Sequence, residues 1–146
     1  VQGFREVIEA YPEIEIVADV DGQGLRDRAL MAASDVLQAN PELDGIFAIN
    51  DDSALGTLDA VEDFGRDGIV IIGYDATPPA RDAILKDRAL KADVVQYPFE
   101  IGRVTIETIA SYFAGREVPE KVPVDVGIVD RESLLEAETR AETDSP

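Results

Sequence analysis

Along the chain, apolar positions recur at helical spacing in some stretches and gather in short β-rich runs in others, and the two kinds of stretch take turns. The pattern predicts helices over Gly3–Tyr11, Leu25–Asn40, Asp51–Phe64, Pro78–Lys86 and Phe99–Ala114. It predicts strands over Ile14–Ala18, Gly45–Ile49, Ile69–Gly73, Ala92–Val95 and Val122–Val129. Pro41 stops one helix, and Gly65 and Gly68 bracket the turn out of another. Such alternation is the mark of βαβ units, whose right-handed crossovers build an α/β fold: an open, mainly parallel sheet with helices on both faces. The runs Ile46-Phe47-Ala48-Ile49 and Ile69–Ile72 are apolar throughout, as expected of central strands covered on both sides. After Ser133 the chain turns Glu-rich and ends Thr-Asp-Ser-Pro, so residues 136–146 read as a solvated tail or a frayed helix.

Three successive strands end in a polar residue with several hydrogen-bonding positions: Asn50 after Phe47-Ala48-Ile49, Asp75 after Gly73-Tyr74, and Gln96 after Val94-Val95. In an open parallel sheet the carboxyl ends of the strands share one edge, where a ligand crevice forms, so these three should converge. A carboxylate accepts from two neighbouring hydroxyls, and an amide accepts through oxygen and donates through nitrogen, a set that suits a polyol. Tyr74 could offer an aromatic face to the C–H side of a sugar ring, and Tyr97 is a weaker candidate for the same task. Each residue also has a local explanation. Asn50 stands where it would cap the helix opening Asp51-Asp52-Ser53, with the aspartates complementing the helix dipole. Asp75, ahead of Ala76-Thr77-Pro78-Pro79, could organise a turn or cap into a helix with Pro near its first position. Gln96 could be an exposed loop residue, and Tyr74 a core edge.

Composition narrows the chemistry. The 146 residues are 45% hydrophobic, enough for one α/β core and too little for two full domains. No apolar run approaches the ~20 residues of a membrane-spanning helix. With no Cys and no His, the thiol nucleophile, the imidazole base and the usual zinc ligands are all absent. The formal charge of −18, from 31 acidic and 13 basic residues, repels phosphate backbones and anionic lipid, so nucleic acid is excluded as a partner. The start at Val1-Gln2-Gly3-Phe4, without Met or an apolar leader, reads as a cut from something longer that could have carried a signal peptide.

The stretch from Leu37 to Gly56, LQANPELDGIFAINDDSALG, resembles the periplasmic sugar-binding proteins of ABC transporters, ribose-binding type, in their C-terminal half. So do Val70–Pro78, VIIGYDATP, and Leu90–Gly102, LKADVVQYPFEIG, together with Gly3-Phe4 and Gly115–Pro119, over about residues 1–130. The resemblance implies that Asn50, Asp75 and Gln96 contact ligand, with Tyr74 where the family often has an aromatic residue. It implies a monosaccharide or similar polyol closed between two lobes, an extracytoplasmic location and an ABC permease as partner. No catalytic residue, cofactor or metal is called for. By the same analogy residues 1–96 belong to the second lobe, 97–121 cross over to pack on the absent first lobe, 122–132 return as a strand, and 133–146 are an acidic tail. The apolar face Ile101, Val104, Ile106, Ile109, Tyr112 and Phe113 should then seek the missing lobe or a second copy of the chain. The sheet would also lack its own first strand.

The chain departs from the family at Val20-Asp21-Gly22-Gln23-Gly24-Leu25, where an aromatic residue is common, and Arg26 falls near a family basic position. Two rivals stand beside this reading. One is the sugar-sensing effector domain of a lactose-repressor-type regulator, which a helix-turn-helix upstream would reveal. The other is a Mg²⁺-dependent phosphoacceptor or hydrolase using Asp51, Asp52 and Asp75, although Gln96 stands where a receiver-like site would have lysine.

Overall fold

The computed structural model describes residues 1–143. Its centre is a four-stranded sheet in the order β1 (Gly45–Phe47), β2 (Val70–Tyr74), β3 (Leu90–Val95) and β4 (Gly127–Asp130). The first three strands are parallel and β4 runs antiparallel to β3. The helices are α1 (Gln2–Ile8), α2 (Arg26–Ala39), α3 (Asp51–Asp63), α4 (Pro78–Leu85), α5 (Pro98–Phe113) and α6 (Arg131–Thr143).

Stepping from β1 through α3 to β2 and through α4 to β3 always moves the same way across the sheet. Right-handed crossovers therefore place α3 and α4 on one face, and both pack there on the strands. Ile46, Ile71 and Leu90 point into this face and meet Leu58, Val61, Ala80 and Ile84, with Leu58, Ile71 and Leu90 wholly buried. Each such side chain contributes about 1.5–3 kcal/mol by leaving water. A second layer forms where α2 closes on α3, because Gly56 lets the Arg26 carbonyl approach its α-carbon more closely than any Cβ would allow. On the opposite face α1 rests through Phe4, whose ring stacks on Phe47 at 4.7 Å. The sheet thus has helices on both sides.

One irregularity decides which residues meet. Between the pairs Ile71–Leu90 and Ile72–Ala92 the β3 strand holds an extra residue, Lys91. This bulge reverses the alternation, so Leu90 and Asp93, three positions apart, both face the helix-covered side.

Most predicted elements are present within a few residues, and three differences are instructive. Ile14–Ala18 is not a strand: residues 11–20 are exposed and pair with nothing in the sheet, since β1 is joined only to β2. Alternating apolar residues suffice for an extended segment, but a strand also needs a neighbour to take its N–H and C=O groups. The last strand begins at Gly127 rather than Val122, because its partner β3 ends at Val95, opposite Gly127, and leaves the earlier residues no ladder to join. Of the two readings of the acidic stretch after Ser133, the helix holds as far as Thr143, where the stretch is the body of α6, and the tail does not. The Ser133 N–H donates to the Asp130 carboxylate at 2.9 Å, and the Asp130 N–H to the Ser133 hydroxyl at 2.9 Å, which caps the helix reciprocally. That contact also holds the Asp130 carboxyl below its usual range, and Leu134 anchors the helix in the core. The remainder of the expected tail, residues 144–146, lies outside the described residues.

Candidate functional site

The strand ends deliver Asn50, Asp75 and Gln96 to the same edge of the sheet, in the order of β1, β2 and β3. Asp75 and Gln96 meet directly: the Gln96 side-chain N–H donates to Asp75 Oδ1 at 2.5 Å, with both residues half-buried. This charge-assisted bond orients a carboxylate and an amide as one unit and leaves Asp75 Oδ2 and Gln96 Oε1 as further acceptors. Asp75 has φ 121° and Ala76 has φ 55°, a left-handed pair of non-glycine residues. Such backbone costs on the order of 1–3 kcal/mol per residue and persists only where its surroundings enforce it.

Asn50 is the N-cap of α3. Its Oδ1 accepts the Ser53 N–H at 3.0 Å and its Nδ2 donates to the Gly24 carbonyl at 3.1 Å. One amide proton and one lone pair remain. The cap reading is therefore correct for Asn50, and the same bonds fix its direction at the rim and tie the Gly22–Leu25 loop to it. Asp75 does not cap α4: Thr77 occupies that position, and no side chain bonds there.

The other candidates sit less centrally. Tyr74 pairs with Val94 on the face opposite α3 and is half-buried, with no ring partner among the described residues. Tyr97 is exposed and its hydroxyl lies close over Gly127, where an added side chain would push it aside. Arg26 holds Asp59 through two bonds, Nε to Oδ2 at 2.8 Å and NH2 to Oδ1 at 3.0 Å, and so ties α2 to α3. The three acids of the Mg²⁺ alternative are turned to different surroundings: Asp75 to Gln96, Asp51 into the interior and Asp52 to solvent. Among the described residues no group of three or more carboxylates is placed to hold a metal ion.

Beneath the rim lies a feature the strand-end pattern missed. Asp51 Oδ2 accepts the Thr77 N–H at 2.5 Å, while Asp51 is 3% exposed. Asp93, fully buried on β3, faces it. Burial first, and then the neighbouring Asp51 carboxyl, push the Asp93 carboxyl up to about 8. The N–H groups of Ala76 and Val94 pull weakly the other way. Gly73 makes room for this acid, since a Cβ there would lie 2.8 Å from Asp93 Oδ2. The sequence signal was available in Leu90-Lys91-Ala92-Asp93-Val94-Val95, an acid within an apolar strand, but simple alternation without the bulge would put Asp93 on the side away from Leu90.

The sequence pattern of the family described as periplasmic binding protein domain matches residues 1–117. The ribose import binding protein of Escherichia coli is 31% identical over 128 residues, a match covering 88% of this chain and 43% of that protein. Among solved structures, an ABC transporter periplasmic solute binding protein from Actinobacillus succinogenes with bound D-allose superposes with a TM-score of 0.78 at 30% identity. That match covers 92% of this chain and 47% of the other. A glucose-galactose binding protein from Geobacillus stearothermophilus reaches 0.82 at 27% identity, over 91% and 48%. The chain thus spans less than half the length of the proteins it matches.

Proposed function

Because this chain belongs to the periplasmic binding protein domain family, we propose that it is one lobe of an extracytoplasmic binding protein that captures a monosaccharide or similar polyol for an ABC importer. The observation that carries this reading is the Asp75–Gln96 pair, a carboxylate and an amide locked together at the carboxyl ends of adjacent parallel strands, beside Asn50. The mechanism is reversible. A sugar exchanges its water hydrogen bonds for Asp75 Oδ2, Gln96 Oε1 and the free positions of Asn50, and a second lobe closes over it, with no covalent step. Tyr74 is assigned to the margin of the site rather than to its floor. The apolar side chains of α5 meet that second lobe. Phe99 and Phe113, each more than four-fifths exposed, are its outermost members.

Two of the matched proteins are a ribose import binding protein and an ABC transporter solute binding protein, which favours this reading over the effector domain of a regulator. Calorimetric titration of the protein carrying this chain with ribose, D-allose, glucose and galactose tests it. Saturable binding of at least one, weakened about tenfold or more by Asp75→Ala, is expected. Binding unaltered in Asp75→Ala would remove the site.

A further inference from the structure

The binding rim stands on two buried acids with no base beside them. Asp93 from β3 and Asp51 from the first turn of α3 face each other, and Asp51 Oδ1 and both Asp93 oxygens are buried without a well-formed hydrogen bond, the Ala76 and Val94 N–H groups acting on Asp93 only weakly. The surrounding elements supply no counter-charge. From β2 the pair meets Gly73, while Asp75 beyond it is turned to Gln96. From α4 the nearest cation is Arg81, whose Nε is bonded at 2.7 Å to the Ala76 carbonyl. β4 places Val129 opposite Asp93, and its Asp130 is bound to Ser133. The remaining acid of the first turn, Asp52, is exposed.

Two ionised carboxylates in such a place would repel each other across a medium of low polarity. A single proton resolves this, because it turns one carboxyl into the donor that the other lacks. The other end of Asp51 holds the Thr77 N–H, at the close of the strained Asp75-Ala76-Thr77 turn. We infer that Asp51 and Asp93 share one proton and together act as positioning residues, clamping this turn so that Asp75 stays aimed at the rim. Its bearing on ligand rests on the proposed binding role of Asp75; the clamp itself does not.

The consequence is a pH-dependent site. While the pair keeps its proton the turn is held. As pH rises through about 8, a second negative charge forms beside Asp51 and loosens its grip on Thr77.

The test is carboxyl and amide NMR between pH 5 and 10 on the protein carrying this chain, with calorimetric titration of ribose, D-allose and galactose, each separately, at pH 6 and pH 9. One aspartate carboxyl should titrate far above the ordinary range, the Thr77 amide shift should follow the same midpoint, and affinity for the sugar bound should fall several-fold between the two pH values. Asp93→Asn, near-isosteric and permanently neutral, should abolish the anomalous titration and flatten the affinity profile. Asp51→Asn serves as the second variant should the first not fold, and is expected to move the same titration to lower pH without abolishing it, because Asp93 stays buried. The inference is overturned if every aspartate titrates in the ordinary range, if the Thr77 amide ignores the midpoint, or if Asp93→Asn keeps the parental profile. Anomalous titration coupled to Thr77 with no sugar bound at either pH would support the clamp and sink the binding reading instead.

Discussion

Helix α5 carries Ile101, Val104, Ile106, Ile109, Tyr112 and Phe113, whereas α3 opens on two aspartates and relies on Ala54, Leu55, Gly56, Leu58, Ala60 and Val61. Yet α3 buries nine residues and α5 none. The difference lies in their surroundings. α3 is clasped between α2 and the sheet, and its small residues let both come close. α5 leaves β3 and meets no comparable surface. Apolar content sets how much a helix could gain by burial, while the gain itself depends on a neighbour of matching shape.

The contrast can be broken most sharply by truncation. In urea unfolding of the 146-residue chain, Leu58→Ala on α3 should cost roughly 2–5 kcal/mol, and Ile106→Ala on α5 within about 0.5 kcal/mol. Similar losses for the two would show that α5 has a burial partner in the chain. Gly56→Ala should cost roughly 1–3 kcal/mol by pushing the Arg26 backbone away and parting α2 from α3, read by the same unfolding midpoints.

Within the rim the comparison is between Asn50 and Asp75. Asn50→Ala removes a helix cap and should lower stability by about 1 kcal/mol. Asp75→Ala should instead cost about 1–3 kcal/mol in sugar binding with a smaller effect on unfolding. The reverse assignment of the two effects would disprove the division of labour.

Two acids separate interior from surface by their response to pH. Asp93 holds its proton more tightly folded than unfolded, so its contribution to stability falls as pH rises from the ordinary carboxylate range to about 8 and is level above that. Wild type should therefore lose ground against Asp93→Asn across that window in parallel thermal melts. Glu62 has the opposite sign: its hydrogen bond from Arg88 holds the carboxyl below its usual range. The stability it adds is present above that range and is lost as pH falls through it. The pair lies at the surface with both side chains partly exposed, so Glu62→Gln should cost under about 1 kcal/mol, the limit for surface ion pairs.

Much of this was legible from residue spacing. Long helices such as α2, α3 and α5 announce themselves through periodicity, and strands β2 and β3 through apolar runs between turn residues. That Asn50, Asp75 and Gln96 gather on one edge could be expected in advance because parallel strands end there, whereas the bond between Asp75 and Gln96 could not. Asn50 could not be assigned, since a cap and a binding residue have the same local pattern; the bonds to Ser53 and Gly24 show the cap, and the positions they leave free are the ones proposed for ligand. Ile14–Ala18 misled because strand pairing is not a local property. The Asp130–Ser133 cap passed unseen because a Glu-rich surface hides the single leucine that anchors α6.

By itself the amino-acid order determined the succession of helices and strands, the direction of the crossovers and the sheet edge at which polar residues gather, because these follow from local periodicity and the handedness of the chain. The tertiary structure decided which apolar helix is buried, which strand finds a ladder, and the meeting of Asp51 with Asp93. Those outcomes turn on close approaches at Gly56 and Gly73 and on one extra residue at Lys91, and a bulge or a shared proton exists only between segments already packed together.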